Sequence, residues 1–327
     1  MKLGIFLLTE RYGSSATLAI HNDIEMACYA EELGFDEVWF AEHHFNNFSV
    51  IPNPSLIMAC TAVKTKNIRL GSAAFLAPFY NPTRLAEEIA TLDNLSFGRI
   101  NAGFAKGGFT LDMENFEKSP ESLRTEMFAN IKSIESKLYE EATFEPKPMQ
   151  KKVPFYVATF STHESVKFAA QNGYGLMFSQ GATLEECEVV QEFYKNIAGF
   201  YPQIVLMRVF SMASDSKRAY ERAVVATDHF VKSMRAVQSK QEQPSFNKRN
   251  YDALLSQRHE FFDAQKFMKV ALIGNEEEIV EQISNIQRRI HNLHLVLKVG
   301  ATDTRVARIM LQKFMQKIKP KLQKENK

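Results

Sequence analysis

Apolar residues in this chain fall into short runs separated by longer stretches in which they recur every three to five positions, an alternation that predicts βαβ units feeding a parallel sheet. Strands are expected at residues 2–8, 37–41, 68–73, 99–104, 155–158, 175–178, 204–210 and 293–299. Ile20, Ile24, Ala27, Cys28 and Leu33 mark a first amphipathic helix stopped by Gly34, a glycine suited to the left-handed cap position. Further helices are expected at 54–63, 82–95, 164–171, 184–197, 214–237, 276–290 and 303–318. Ser119 followed by Pro120 reads as an N-cap and first helical position for a helix reaching about residue 139. The lysine-rich tail from residue 319 is expected to fray.

Eight strands alternating with helices, without a proline-rich linker, favour one closed (β/α)8 TIM barrel spanning 1–327 as a single domain. A two-domain dinucleotide-binding fold is disfavoured, because no G-x-G-x-x-G follows the first strand. Insertions are expected after the fourth and seventh strands. The second is rich in Gln, Lys, Ser and Asn over 238–250 and reads as the centre of a mobile lid covering about 238–265.

Forty Lys and Arg balance 38 Asp and Glu, leaving a formal charge of +2, too little for a phosphate-backbone surface. Nucleic acid is therefore not an expected partner. Cys28, Cys60 and Cys187 form no CxxC pair, which argues against a disulfide framework or a zinc site and for a reducing compartment. The apolar run after Lys2 is too short for a signal-peptide core, and no stretch reaches membrane-spanning length, so a cytoplasmic protein without a membrane partner is expected. Twenty-six Phe against one Trp suit a dense core or an apolar ligand cavity.

In a barrel of this kind the chemistry sits just beyond the carboxyl ends of the strands. The second strand runs into Glu42-His43-His44-Phe45, where one histidine at the mouth suits general acid–base work and Glu42 is placed to orient it. Consecutive side chains on a strand diverge, so a paired-histidine metal site is disfavoured. Strand-end packing stays open for both residues. The third strand ends in the small residues Gly71-Ser72-Ala73-Ala74, against which a flat ligand could lie. Lys106 beside Gly107 and Gly108, with Ser161 and Thr162 before a helix, makes a plausible phosphate cradle, although plain N-capping also accounts for the two hydroxyls.

These motifs, in this order, resemble the bacterial luciferase family of flavin-dependent monooxygenases, and the catalytic α subunit more than the β subunit. The resemblance is carried by Gly34-Phe35-Asp36-Glu37-Val38-Trp39, by Glu42-His43-His44-Phe45, by Gly71-Ser72-Ala73-Ala74 with Asn81-Pro82-Thr83-Arg84-Leu85-Ala86-Glu87, and by Leu92-Asp93-Asn94-Leu95-Ser96-Phe97-Gly98-Arg99. It implies a barrel that binds reduced FMN, supplied by a separate flavin reductase, and reacts it with O2 to a C4a-hydroperoxyflavin that oxygenates a small apolar organic substrate. By position it implies His43 as catalytic residue and Ser72, Ala73 and Ala74 against the isoalloxazine ring, with a cis peptide between the two alanines. It likewise places Lys106, Ser161 and Thr162 at the phosphate, with Ser179 and Gln180 as further flavin contacts.

Ala105 stands where luciferase has a reactive cysteine, Lys106 where it has an arginine, and Gln180 where it has a tryptophan. A non-luminescent enzyme is therefore expected. The superfamily leaves two alternatives: hydride transfer with the deazaflavin F420, or a non-catalytic flavin-binding or partner subunit. The resemblance also implies a homodimer, or a heterodimer with a related subunit, joined through helices that include 54–63 and 85–95.

Overall fold

The computed structural model describes residues 1–159, 162–239 and 264–324. Ten strands follow one another as β1 (Lys2–Leu7), β2 (Glu37–Phe40), β3 (Arg69–Ser72), β4 (Phe75–Leu76), β5 (Ile100–Ala105), β6 (Phe155–Ala158), β7 (Gly175–Phe178), β8 (Ile204–Met212), β9 (Leu272–Gly274) and β10 (Leu293–Val299). All pair in parallel, and β10 pairs with both β8 and β1, closing a barrel of eight strands. The two short strands, β4 on β5 and β9 on β8, extend the wall beyond the eight expected from sequence.

Helices alternate with the strands on the outside: α1 (Ala16–Leu33), α2 (Pro54–Lys64), α3 (Pro82–Leu95), α4 (Thr110–Asn115), α5 (Leu123–Tyr139), α6 (His163–Asn172), α7 (Leu184–Ala198), α8 (Ser216–Ser239), α9 (Ala264–Lys269), α10 (Glu276–Arg289), α11 (Thr304–Lys313) and α12 (Lys319–Lys324). None of those described is long and apolar enough to cross a membrane. Gly34 takes φ 83° and caps α1, as its place in the sequence predicts. Two readings are corrected. Ser119 is not the N-cap of the following helix, because its hydroxyl turns to the Glu121 carboxylate and α5 begins at Leu123. The tail does not fray at residue 319: the chain continues through a π turn at Phe314–Ile318 into α12, where Leu322 is buried in the outer core. The expected lid, about 238–265, lies almost wholly outside the described residues.

Alternate strand residues point inward and fill the barrel in layers. Toward the amino ends of the strands the layer is polar: Glu37, Arg69, Asn101 and His294 bond one another. Above it sits an apolar layer of Trp39, Tyr156, Met177, Val205 and Val296. Glycine makes room for the two largest of these, since a Cβ on Gly71 would overlap the Trp39 indole and one on Gly175 the Tyr156 ring. Ala73, Ala105 and Ala158 pack on top of this layer and face the mouth.

Candidate active site

The mouth has a floor of small side chains. Ala73, Ala105 and Ala158 come from the ends of three strands, and the peptide between Ala73 and Ala74 is cis. Ser72 ends the strand beneath this floor. It is fully buried, and its hydroxyl bridges β3 to β5, donating to the Gly103 carbonyl and accepting from the Gly103 amide, each at 2.9 Å. At the side of this floor, Thr159 Oγ1 and Gln180 Oε1 are buried without a hydrogen-bond partner among the described residues. Buried polar atoms are normally satisfied, so this pair marks where a polar ligand edge belongs. Ser179 lies beside them, its hydroxyl accepting weakly from the Gly181 amide at 3.4 Å.

Beyond β2 the two histidines separate. His44 Nε2 lies 2.8 Å from Glu42 Oε1, while Glu42 Oε2 accepts from the Tyr80 hydroxyl at 2.7 Å and from the Leu76 amide at 3.3 Å. Glu42 thus orients His44 rather than His43. Burial raises the Glu42 carboxyl above the usual range, and burial together with the Glu42 charge raises the Tyr80 phenol. The His43 imidazole makes no hydrogen bond among the described residues. Burial, reinforced by repulsion from His44, pushes its pKa down to about 4, so it is neutral at physiological pH. Aromatic rings wall this corner: Phe109 is 6.1 Å from His43, Phe116 is 4.9 Å from His44, and Phe79 stacks on Phe116 at 4.8 Å.

The candidate anion side lies across the mouth. Lys106 follows β5, half-buried, and Thr162 precedes α6, its hydroxyl donating to the Ser165 hydroxyl at 3.2 Å rather than capping a backbone amide. Ser161 falls outside the described residues. Arg124, near the start of α5, pairs with the Glu164 carboxylate in the first turn of α6, and its Nε is buried without a partner among the described residues. The sequence reading misses Arg124, because nothing local distinguishes it from any arginine on a helix surface. It also misses the Glu42–Tyr80 contact, which joins residues 38 positions apart.

The profile of the luciferase-like monooxygenase family matches residues 1–291. The chain belongs to that family. Among its luciferase-like relatives, the oxygenase component of a flavin-dependent trigonelline monooxygenase from Acinetobacter baylyi is 26% identical over 315 residues, covering 86% of this chain and 85% of that one. The alkanal monooxygenase alpha chain of Photorhabdus luminescens is 30% identical over 242 residues, covering 68% of this chain and 67% of its own. The fold recurs in the monooxygenase RslO1 from Streptomyces bottropensis, with a TM-score of 0.83 at 24% identity and coverage of 98% and 99%. It recurs too in an F420-dependent secondary alcohol dehydrogenase, with a TM-score of 0.75 at 19% identity and coverage of 98% of both chains. This luciferase-like protein is an enzyme, a monooxygenase with the barrel of its family.

Proposed function

We propose that this protein is the oxygenase component of a two-component system. It takes reduced FMN from a separate flavin reductase and, with O2, oxygenates a small apolar organic substrate without emitting light. The observation that carries the reading is the pairing of a small-residue floor with two unsatisfied buried polar atoms, Thr159 Oγ1 and Gln180 Oε1, and a neutral His43 after β2 at the same end of the barrel. A planar, polar-edged cofactor fits that combination, and the trigonelline relative supports the two-component arrangement by its name.

Bound reduced FMN supplies the electrons that activate O2, one oxygen atom going to substrate and the other to water. The residues of this chain do the rest. Ala73, Ala105 and Ala158 leave a flat face for the ring system, and Thr159, Ser179 and Gln180 offer hydrogen bonds along one edge. Lys106, Thr162, Ser161 and Arg124 would hold the phosphate, with the amides of α6 adding their dipole. His43, uncharged, accepts a proton in the reacting complex and passes it on, and Phe79, Phe109 and Phe116 keep water away from it.

Hydride transfer with F420 is the second reading, favoured by the shared fold of the F420-dependent dehydrogenase. A non-catalytic subunit is not favoured, since it has no need of an uncharged imidazole at the mouth. The partner we propose is a second copy, or a related subunit, seated on α2, where Leu56 and Val63, each 69% exposed, lie with Cys60 along one outer stripe. The three cysteines are unpaired, which supports a reducing cytoplasm.

Rapid mixing decides between the readings. Reduced FMN should bind anaerobically, reoxidise more slowly on the protein than in free solution once O2 is added, and yield oxygenated product when a suitable apolar compound is present. Reoxidation at the free rate without product counts against the proposal, and O2-independent turnover with reduced F420 replaces it with the second reading.

A further inference from the structure

The catalytic mouth lies at the carboxyl ends of the strands. At the opposite end the barrel opens into a cavity of about 1050 Å³. One wall is a ready-made plate: Tyr201 and His291 stack with centroids 3.8 Å apart and planes 12° from parallel. Tyr174 and Phe200 add further ring surface. His294 forms part of the floor and is only 4% exposed. Its Nδ1 lies 3.0 Å from Glu37 Oε2, and because a carboxylate only accepts, that nitrogen carries the proton. Nε2, with no hydrogen-bond partner among the described residues, is the polar atom that His294 offers the cavity.

The charges around this floor are unequal. Among the described residues no carboxylate lines the cavity, whereas Lys2 and Lys152 do. Lys152 is held 3.2 Å from Glu135, a carboxylate that also accepts from the Tyr174 hydroxyl at 2.6 Å. Lys2 stands in register beside His294 on the neighbouring strand. Behind the floor, Arg69 lies near the buried carboxylate Glu37, and its donors go to amides and carbonyls. The charged side chains lining the cavity are thus cations, with the carboxylates Glu37, Glu135 and Glu192 set behind the lining.

We propose that this cavity is a second ligand site, separate from the catalytic mouth, for a small aromatic carboxylate. The ring lies against the outer face of His291, which Tyr201 backs, and the carboxylate is held by Lys2. A reporter is built in. Trp39, the one tryptophan of the chain, donates its Nε1 proton at 3.1 Å to the same Glu37 oxygen that holds His294. Charge arriving at Lys2, in register beside His294, is thus felt at the indole.

Benzoate is the probe. Titrated into the whole protein, it should change Trp39 emission saturably, and calorimetry should give one site. Lys2→Gln and Tyr201→Ala should each weaken benzoate about tenfold. Lys106→Gln, at the mouth, should leave benzoate affinity unchanged. Benzyl alcohol, which keeps the ring without the charge, and cyclohexanecarboxylate, which keeps the charge without the ring, should both bind more weakly than benzoate. The proposal is overturned if benzoate does not saturate, if Lys2→Gln binds it like the unaltered protein, or if Lys106→Gln weakens it, which would place it at the mouth. Equal binding of cyclohexanecarboxylate would overturn the aromatic assignment.

Discussion

His43 and His44 are adjacent in sequence and opposite in circumstance. His44 is anchored by a buried carboxylate that is itself held by Tyr80, while His43 stands among phenylalanine rings with its pKa near 4. An unfolded imidazole titrates near pH ~6.5. Between that value and about 4 the unfolded chain binds the extra proton and the folded one does not, so stability falls as the pH drops through this window. His43→Gln should flatten that loss, seen as a smaller drop in Tm between neutral and acid buffers. The same variant should bind flavin yet lose product formation by about a hundredfold or more, the range expected for a proton-transfer residue. Tyr80→Phe leaves one Glu42 oxygen with only the long Leu76 amide contact. It should cost about 1–3 kcal/mol in urea denaturation.

At the scale of elements, the sequence was readable wherever a boundary is set by local chemistry. The strands at 155–158, 175–178 and 293–299 and the helix at 82–95 coincide with their apolar patterns, because Asn81 caps and Pro82 opens that helix through contacts within a few residues. Ser119 and Pro120 carry the same local signal and fail, since the serine hydroxyl has a nearer carboxylate at Glu121. The tail was misread because its apolar residues are sparse, and only the packed structure shows that Met315, Ile318 and Leu322 share one buried face. The resemblance singles out His43 and Gln180, which the fold brings to the carboxyl end of the barrel, whereas Arg124 and Tyr80 depend on contacts that no spacing announces. The Ser72 hydroxyl is spent on the wall, bonding the Gly103 backbone. The tightest inter-strand fit, that of Gly71 against Trp39, yields a prediction of its own: Gly71→Ala should destabilise the barrel by about 1–3 kcal/mol, measured by chemical denaturation, because neither the indole nor the backbone beside it has room to move.

At the scale of the molecule, α2 turns two large apolar side chains to the outer surface. Leu56 and Val63 project from it on either side of Cys60, while its opposite face is spent on the core through Ile57, Met58 and Ala62. If that stripe joins two subunits, Leu56→Glu together with Val63→Glu should shift sedimentation to the monomer while the circular dichroism of the barrel is retained. Inside, the Trp39–Tyr156 layer acts as a bulkhead. With both rings fully buried and the space beside Gly71 and Gly175 already filled by them, this layer stands between the mouth and the cavity at the other end. On the proposed function, cofactor, substrate and product then share the mouth as their common doorway, and each must wait on the one before it.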